Sequence, residues 1–449
     1  MLITKSNSER SWRLRGAFLL LVALQIPFSG LCAEVALPQR TPDPSLKKDA
    51  VHAMNIGAQW LAAQQRENGC WSNPVFPAMT GLAVSAILHS PEFQESPAHP
   101  PSVTKGIHFI LSCVQKDGGI YQSAPQVPGG SLPVYNTAIC MMTLIDANNP
   151  AYTETIRKAR KFLVDSQHSG EDPFTGGMGY DTVSSRTYAD LSNTVFALEA
   201  LRRSEYVEWV RDSSPRSDLD WKAAIEFVSR CQHLRETNKS KWVSDAPDQR
   251  GGFIYNPLKS QAGPVTFSPE TSETLRSYGG MTYAGLLSFL YAKVDRNDPR
   301  VVSAVDWIRR RWTLDENPGL GTDGLYYYYH TMAKALSAYG AERLELAGGR
   351  TTSWRQSLVS KLVSLQRIDP KTGFGYWQND NNRWWENDAN LTTAYALLAL
   401  EMACSGLEPA STIVKPEVLS RGEIRGDSGL SKRSVSKEDD EPRTKPSAK

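Results

Sequence analysis

The sequence predicts an all-α repeat protein, and three observations predict it. A Gln-turn-Gly-aromatic element recurs along the chain. A Thr marks the start of the apolar helix that follows each copy. The apolar residues of both flanking segments fall at helical spacing. Ile56 to Leu88 shows the plan. Its first half is an amphipathic helix ending near Gln65. Asn68-Gly69 turns the chain, Trp71 follows, and a second, apolar helix begins near Ala78-Met79-Thr80. One such hairpin cannot bury its apolar face alone, so its neighbours are expected to be copies of it.

The copies follow in order. Gln65 leads to Gly69-Cys70-Trp71, and Gln115 to Gly119-Ile120-Tyr121. Gln167 leads to Gly177-Met178-Gly179-Tyr180. Gln232 leads, after an insertion, to Gly251-Gly252-Phe253-Ile254-Tyr255. In the fifth copy Trp312 stands where the Gln is expected, ahead of Gly321 and Tyr326. Gln366 leads to Gly373-Phe374-Gly375-Tyr376-Trp377. The helix-opening threonines are Thr80, Thr137, Thr194, Thr282, Thr331 and Thr393. Two markers in register over six units make six helical hairpins. Periodicity alone fits a closed ring or an open solenoid.

The Gln-x3-Gly-x-(Trp/Tyr) element resembles the QW motif of squalene and hopene cyclases. With the small-residue second helices, it is similar to the terpenoid cyclase and protein prenyltransferase superfamily over about Ala50 to Met402. That resemblance implies a single (α/α)6 toroid, with the second helices inside around a central cavity and the first helices outside. It is specific for fold and weak for function.

The organisation expected is a secretory signal over 1–33, a polar leader over 34–49, the ring over 50–405 and a charged tail over 406–449. Arg10, Arg13 and Arg15 precede a short apolar core, Ala17 to Leu24, and small residues around Gly30, Cys32 and Ala33 suit cleavage. The apolar run is too short for a stable membrane span, so export to the periplasm or cell exterior is the expectation. The tail from Glu408 carries no aromatic residue and is expected to be disordered. With 50 Lys+Arg against 48 Asp+Glu and a net charge of +2, no basic stripe implies nucleic acid. Cys70, Cys113, Cys140, Cys231 and Cys404 are scattered over repeats, which is not a disulfide framework, although one bridge between adjacent helices stays open.

The long loops run from an outer helix to an inner one. They are Gly118 to Pro133, Gly170 to Tyr188 and Arg235 to Arg276. In a ring they cluster on one rim, above the N-termini of the inner helices. The candidate chemistry lies there too. Asp190-Leu191-Ser192-Asn193-Thr194 resembles the Asp-x-Asp-Asp-Thr motif of class II terpene cyclases, but Ser192 stands in the place of the proton-donating Asp. A hydroxyl cannot deliver a strong-acid proton. The alternative role for Asp190 and Ser192 is capping of the third inner helix. Tyr329-His330-Thr331 resembles the zinc-binding segment of prenyltransferase β subunits, whose Asp and Cys partners are missing from Arg276 to Thr282. Neither a metal site nor a cofactor is expected, and His330 is either a ligand contact or a satisfied polar residue.

The candidate catalytic residues are therefore Asp190, His330 and Asp388, the last also a candidate cap for the sixth inner helix. The candidate ligand-binding residues are Tyr135, Asn136, Asn193, Tyr278, Tyr329, Trp384 and Trp385. Exposed adjacent tryptophans are costly unless they bind something. Arg276 and Arg383 are candidate anion contacts at helix N-termini. Trp71, Tyr121 and Tyr180 are expected to pack between outer helices, and Trp377 to join the rim cluster. Three functions fit: an exported toroid that binds or processes an isoprenoid or other apolar ligand, a glycan lyase or binder, and a non-catalytic envelope scaffold. The lining of the central cavity discriminates them.

Overall fold

The computed structural model describes residues 44–94, 100–123, 131–182, 188–209, 218–265 and 274–407. The segment expected to be a secretory signal, most of the expected leader and nearly all of the charged tail lie outside these residues. The first helix begins at Pro44, inside the segment expected to be leader. Among the described residues no helix is long and apolar enough to cross a membrane.

The fold is all-α apart from three two-residue antiparallel strand pairs in the loops. Each hairpin joins an outer to an inner helix: α1 (Pro44–Ala63) to α2 (Pro77–Leu88), then, after the short α3 (Pro91–Gln94), α4 (Pro101–Ser112) to α5 (Pro133–Asp146). The third is α6 (Thr153–Asp165) with α7 (Leu191–Arg203). After the short α8 (Tyr206–Trp209) comes α9 (Trp221–Arg230) with α10 (Gly279–Tyr291). The last two are α11 (Pro299–Arg311) with α12 (Leu325–Tyr339), and α13 (Trp354–Leu365) with α14 (Ala389–Cys404). Proline at the first turn starts α2, α4, α5 and α11, where its missing N–H costs nothing. Aspartates cap α7, α9, α11 and α14.

The inner helices are apolar nearly all round, which places them in the interior. Their contacts run in sequence and return to the start. α2 packs on α5, α5 on α7, α7 on α10, α10 on α12, α12 on α14, and α14 on α2. At the return, α1 packs on both α13 and α14. Trp60 stacks on Tyr376 with ring centroids 5.0 Å apart, and Gly57 lies so close to Trp377 that a Cβ would stand 2.8 Å from the indole.

The two sequence markers have a shared physical reason. In five hairpins the Thr hydroxyl accepts the backbone N–H of the turn. Thr80 takes the amide of Trp71 at 3.1 Å, Thr137 that of Ile120 at 2.8 Å, and Thr194 that of Met178 at 3.0 Å. Thr282 takes Phe253 at 3.2 Å and Thr393 takes Trp377 at 3.0 Å. All five hydroxyls are buried. Thr331 departs from the pattern and donates back to the Tyr327 carbonyl. This is the unit in which Trp312 replaces the Gln.

Four of the five Gln residues tie their turn to the next hairpin. Gln65 Nε2 donates to the Gly69 carbonyl and to Ser102, in the first turn of α4. Gln167 bridges Gly176 to Asp220, and Gln232 bridges Gly251 to Arg300. Gln366 donates to Ala53 of α1, joining the last hairpin to the first at 2.8 Å. Gln115 bonds only within its own turn, to Cys113 and Tyr121. The turn glycine completes the joint. Gly176 has φ +89°, and a Cβ there would lie 2.0 Å from the Ala223 carbonyl oxygen of the next outer helix. Only glycine tolerates both the conformation and the approach.

Gly176→Ala is therefore expected to destabilise the protein severely. Thr137→Val leaves the Ile120 N–H buried without an acceptor and is expected to cost about 1–3 kcal/mol. Thr331→Val, which releases no turn amide, is expected to cost less. Urea unfolding of the three variants checks the order.

Candidate functional site

The N-terminal ends of the inner helices surround a cavity of about 410 Å³. All six contribute from their first two turns: Met79 from α2, Tyr135 from α5, Ser192 and Phe196 from α7, Met281 from α10, Tyr327 from α12, and Leu391 and Tyr395 from α14. Phe76, Tyr180, Tyr255, Gln261 and the segment Trp384 to Glu386 add the loop side. Ten of the nineteen lining residues are aromatic, so the walls are mostly ring faces and edges. Phe196 stands edge-on to Tyr135 and Tyr327, at 5.6 and 6.2 Å, and Tyr327 edge-on to Tyr395 at 6.1 Å. Such pairs hold the rings in fixed orientations.

Asp190 is fully buried behind this wall. It caps α7, accepting Asn193 N–H at 2.8 Å and Asn193 Nδ2 at 2.7 Å. The hydroxyls of Tyr188 and Tyr255 also favour its charged form, and the Tyr188 hydroxyl donates to the Tyr255 oxygen at 2.8 Å. Burial pushes the Asp190 carboxyl up to about 6, against these hydrogen bonds, which hold it down. Ser192, two residues on, lines the cavity itself.

The other candidates separate into lining and structural positions. Tyr135, Tyr278, Trp384 and Trp385 line the cavity. Asn136 does not; its Oδ1 accepts Ala78 N–H at 2.9 Å and its Nδ2 donates to Ser131, which fixes the start of α2. Asn193 is held by Asp190. Tyr329 is buried against Tyr326 and Tyr328, and its hydroxyl donates to the Leu314 carbonyl at 2.5 Å. His330 is buried and stacks on Tyr395 at 5.1 Å. Burial, with the Lys334 charge, holds its pKa well below the usual value, so the ring is neutral. Asp388 caps α14 by accepting Asn390 N–H at 2.9 Å. Among the described residues no group of three or more His, Cys, Asp or Glu is arranged to hold a metal. Cys70, Cys113, Cys140 and Cys231 are buried free thiols.

Two aromatic residues sit where the sequence does not place them. Tyr180, expected between outer helices, lines the cavity instead. Trp377, expected on the rim, is fully buried and donates its indole N–H to Leu362, just as Trp71 donates to Leu61. It belongs to the turn packing.

Glu386 is the lining carboxylate that sequence reasoning left out of the site. It is almost fully buried. Its carboxylate accepts the backbone N–H groups of Tyr326 and Tyr327, at 3.2 and 2.8 Å, and Asn379 Nδ2 at 2.8 Å. It thus satisfies the N-terminus of α12, the favourable end for an anion. Burial raises its pKa from the usual value despite these donors. The neighbouring tryptophans are half-exposed, and both have left-handed backbone, φ 54° and 62°. Such backbone costs on the order of 1–3 kcal/mol per residue and persists where surroundings impose it. Here Trp385 leans on Phe76 at 4.9 Å, and Trp384 lies against Gly324 beneath the Arg383 guanidinium at 4.4 Å. Arg383 also pairs with Asp323 at 2.5 Å.

Toward the C-terminal ends of the inner helices the interior turns ionic. Lys334 of α12 pairs with Glu199 of α7, both buried. Asp146 of α5 accepts Arg203 at 2.6 Å and Ser85 of α2 at 2.8 Å. His89 lies within 4 Å of both Asp146 and Glu401 of α14. The cavity is thus aromatic, and the interior beyond it is bridged by charge pairs.

No family model and no curated protein matches this sequence. Solved structures do. A variant of the type II terpene cyclase MstE from Scytonema, in complex with merosterolic acid A, aligns over 80% of this chain and 98% of its own, at 12% identity and TM-score 0.44. Another, in complex with the substrate geranylgeranyl dihydroxybenzoate, aligns over 80% and 99%, at 10% identity and TM-score 0.42. A protein from Actinoplanes aligns over 80% and 99%, at 13% identity and TM-score 0.42.

The Asp190 geometry predicts a pH signature. Its carboxyl binds its proton more tightly when folded than at the ordinary value of 3.8. Stability is therefore full below about pH 4 and falls as pH rises toward about 6, by roughly 3 kcal/mol from this group. Urea unfolding between pH 4 and 7 is expected to show that the wild-type slope exceeds that of Asp190→Asn across this window. Equal slopes would refute the assignment.

Proposed function

We propose that this protein binds an isoprenoid or other apolar ligand in the cavity at the N-terminal ends of its inner helices. The observation that carries the reading is the lining, ten aromatic residues with Met79, Leu132, Met281 and Leu391. Concave, mostly apolar sites with a few fixed polar groups are the usual form of small-molecule pockets. A glycan site built for uronates needs a cation in the lining, and no Lys, Arg or His is among its residues. A scaffold that only packs its interior leaves no such volume. Proton-initiated cyclisation through the Asp-x-Asp-Asp-Thr position is not part of the proposal, because Ser192 occupies the acid's place and Asp190 is engaged as a cap.

Within this reading Tyr135, Tyr278, Trp384 and Trp385 contact the ligand. Asp190 acts through the tyrosines that cover it, and His330 acts through Tyr395. The N-terminal sequence adds export through a cleaved signal to the proposal.

Native mass spectrometry of gently purified protein is expected to show a co-purified apolar molecule. Ser192→Phe projects a ring into the cavity and is expected to weaken binding of an apolar probe such as geranylgeraniol by at least about tenfold, or roughly 1.4 kcal/mol. Its urea midpoint should stay near the wild-type value. Unchanged affinity in the filled variant would sink the proposal.

A further inference from the structure

The cavity has an electrostatic sign. Its lining contains one carboxylate, Glu386, and no basic residue. Two cations beside the lining rings are already committed. Arg383 pairs with Asp323 and covers the Trp384 face, and Lys334, 5.9 Å from the Phe196 ring centroid, pairs with Glu199. Among the described residues no Lys, Arg or His forms an ion pair with Glu386. Its donors are the Asn379 amide and backbone N–H groups at the start of α12, and none of them carries a net positive charge. A buried charge without a counter-ion is expensive unless something completes it.

The rings around it carry the same sign. Phe76, Tyr327, Trp384, Trp385 and Tyr395 line the cavity with Glu386. Aromatic faces are the negative pole of the ring quadrupole, and they attract a cation within about 6 Å. Carboxylate and ring faces thus favour one kind of charge and disfavour the other. Burial of the site strengthens both effects, because water screens them less.

We propose that the cavity selects an apolar ligand bearing a positive charge, a protonated or quaternary amine, with Glu386 and the surrounding ring faces receiving the charged group. The same arrangement rejects an anionic head such as a phosphate ester. The inference rests on the apolar-ligand reading and names its ligand class. The strained Trp384-Trp385 backbone brings both rings into the same lining as the carboxylate.

The test compares decyltrimethylammonium, decanol and decyl phosphate by calorimetric titration of the full chain. The three share a ten-carbon tail and differ in head charge. The cationic probe is expected to bind at least about tenfold tighter than decanol, and decyl phosphate more weakly than decanol. Glu386→Gln is expected to retain decanol binding and lose most of the preference for the cation. Trp385→Ala, at a half-exposed position, is expected to lose part of it. Decanol binding as tightly as the cation, or decyl phosphate binding best, overturns the charge inference and leaves the apolar cavity standing. Failure of all three wild-type titrations overturns both. The wild-type comparison decides the matter even if Glu386→Gln does not fold.

Discussion

A threonine hydroxyl that accepts a buried turn amide is the contact on which the rest of this structure depends. The turn after each outer helix must enter the interior to lead into the inner helix. Its backbone N–H leaves water there and needs an acceptor. The Thr at the start of the inner helix supplies it in five hairpins. Most of these turns are also held from outside: Gln65, Gln167, Gln232 and Gln366 reach the next hairpin, and Gly69, Gly118, Gly176 and Gly251 pack closely against it. One short segment therefore fixes the angle within a hairpin and the step between hairpins. Repeated around the chain, that step brings α14 onto α2 and Gln366 onto α1. The cavity follows, because the N-terminal ends of six inner helices are held apart by their own turns.

The interior is divided by chemistry. Near the turns, ring edges and faces leave a space. Further along, Glu199, Lys334, Asp146 and Arg203 meet across the inner helices. Buried ion pairs are weak evidence of stability, since desolvation offsets much of their attraction. Their effect here is geometric: charges with fixed partners restrict how far the helices can slide or rotate against each other. They also mark where an apolar ligand stops being welcome.

The hairpins and the order of inner and outer helices were legible in the sequence, because their causes are local. Helical spacing, a turn glycine and a helix-start Thr all lie within one unit. The capping alternative for Asp190 and Asp388 was legible for the same reason. The departures are tertiary. Tyr180 and Trp377 both follow turn glycines, but the path of each loop decides which ring faces the cavity. Asn136 and Tyr329 look like rim residues, yet each finds its partner across a neighbouring segment. The ionic layer carried a signal that went unread: Glu199 and Lys334 interrupt otherwise apolar inner helices, a placement that requires a partner. Glu386 was harder, because the Tyr326 and Tyr327 amides that hold it belong to the preceding hairpin.

The central claim is that the hairpins form a circuit without ends, five of the six turns locked by the same contact. Hydrogen exchange of the turn amides of Trp71, Ile120, Met178, Phe253 and Trp377 tests it most directly. An open stack frays from its terminal repeats, so its end units exchange through local opening. The account predicts that Trp71 and Trp377, in the first and last hairpins, exchange as slowly as Met178 and Phe253 in the middle ones. Faster exchange confined to the first and last hairpins would contradict it.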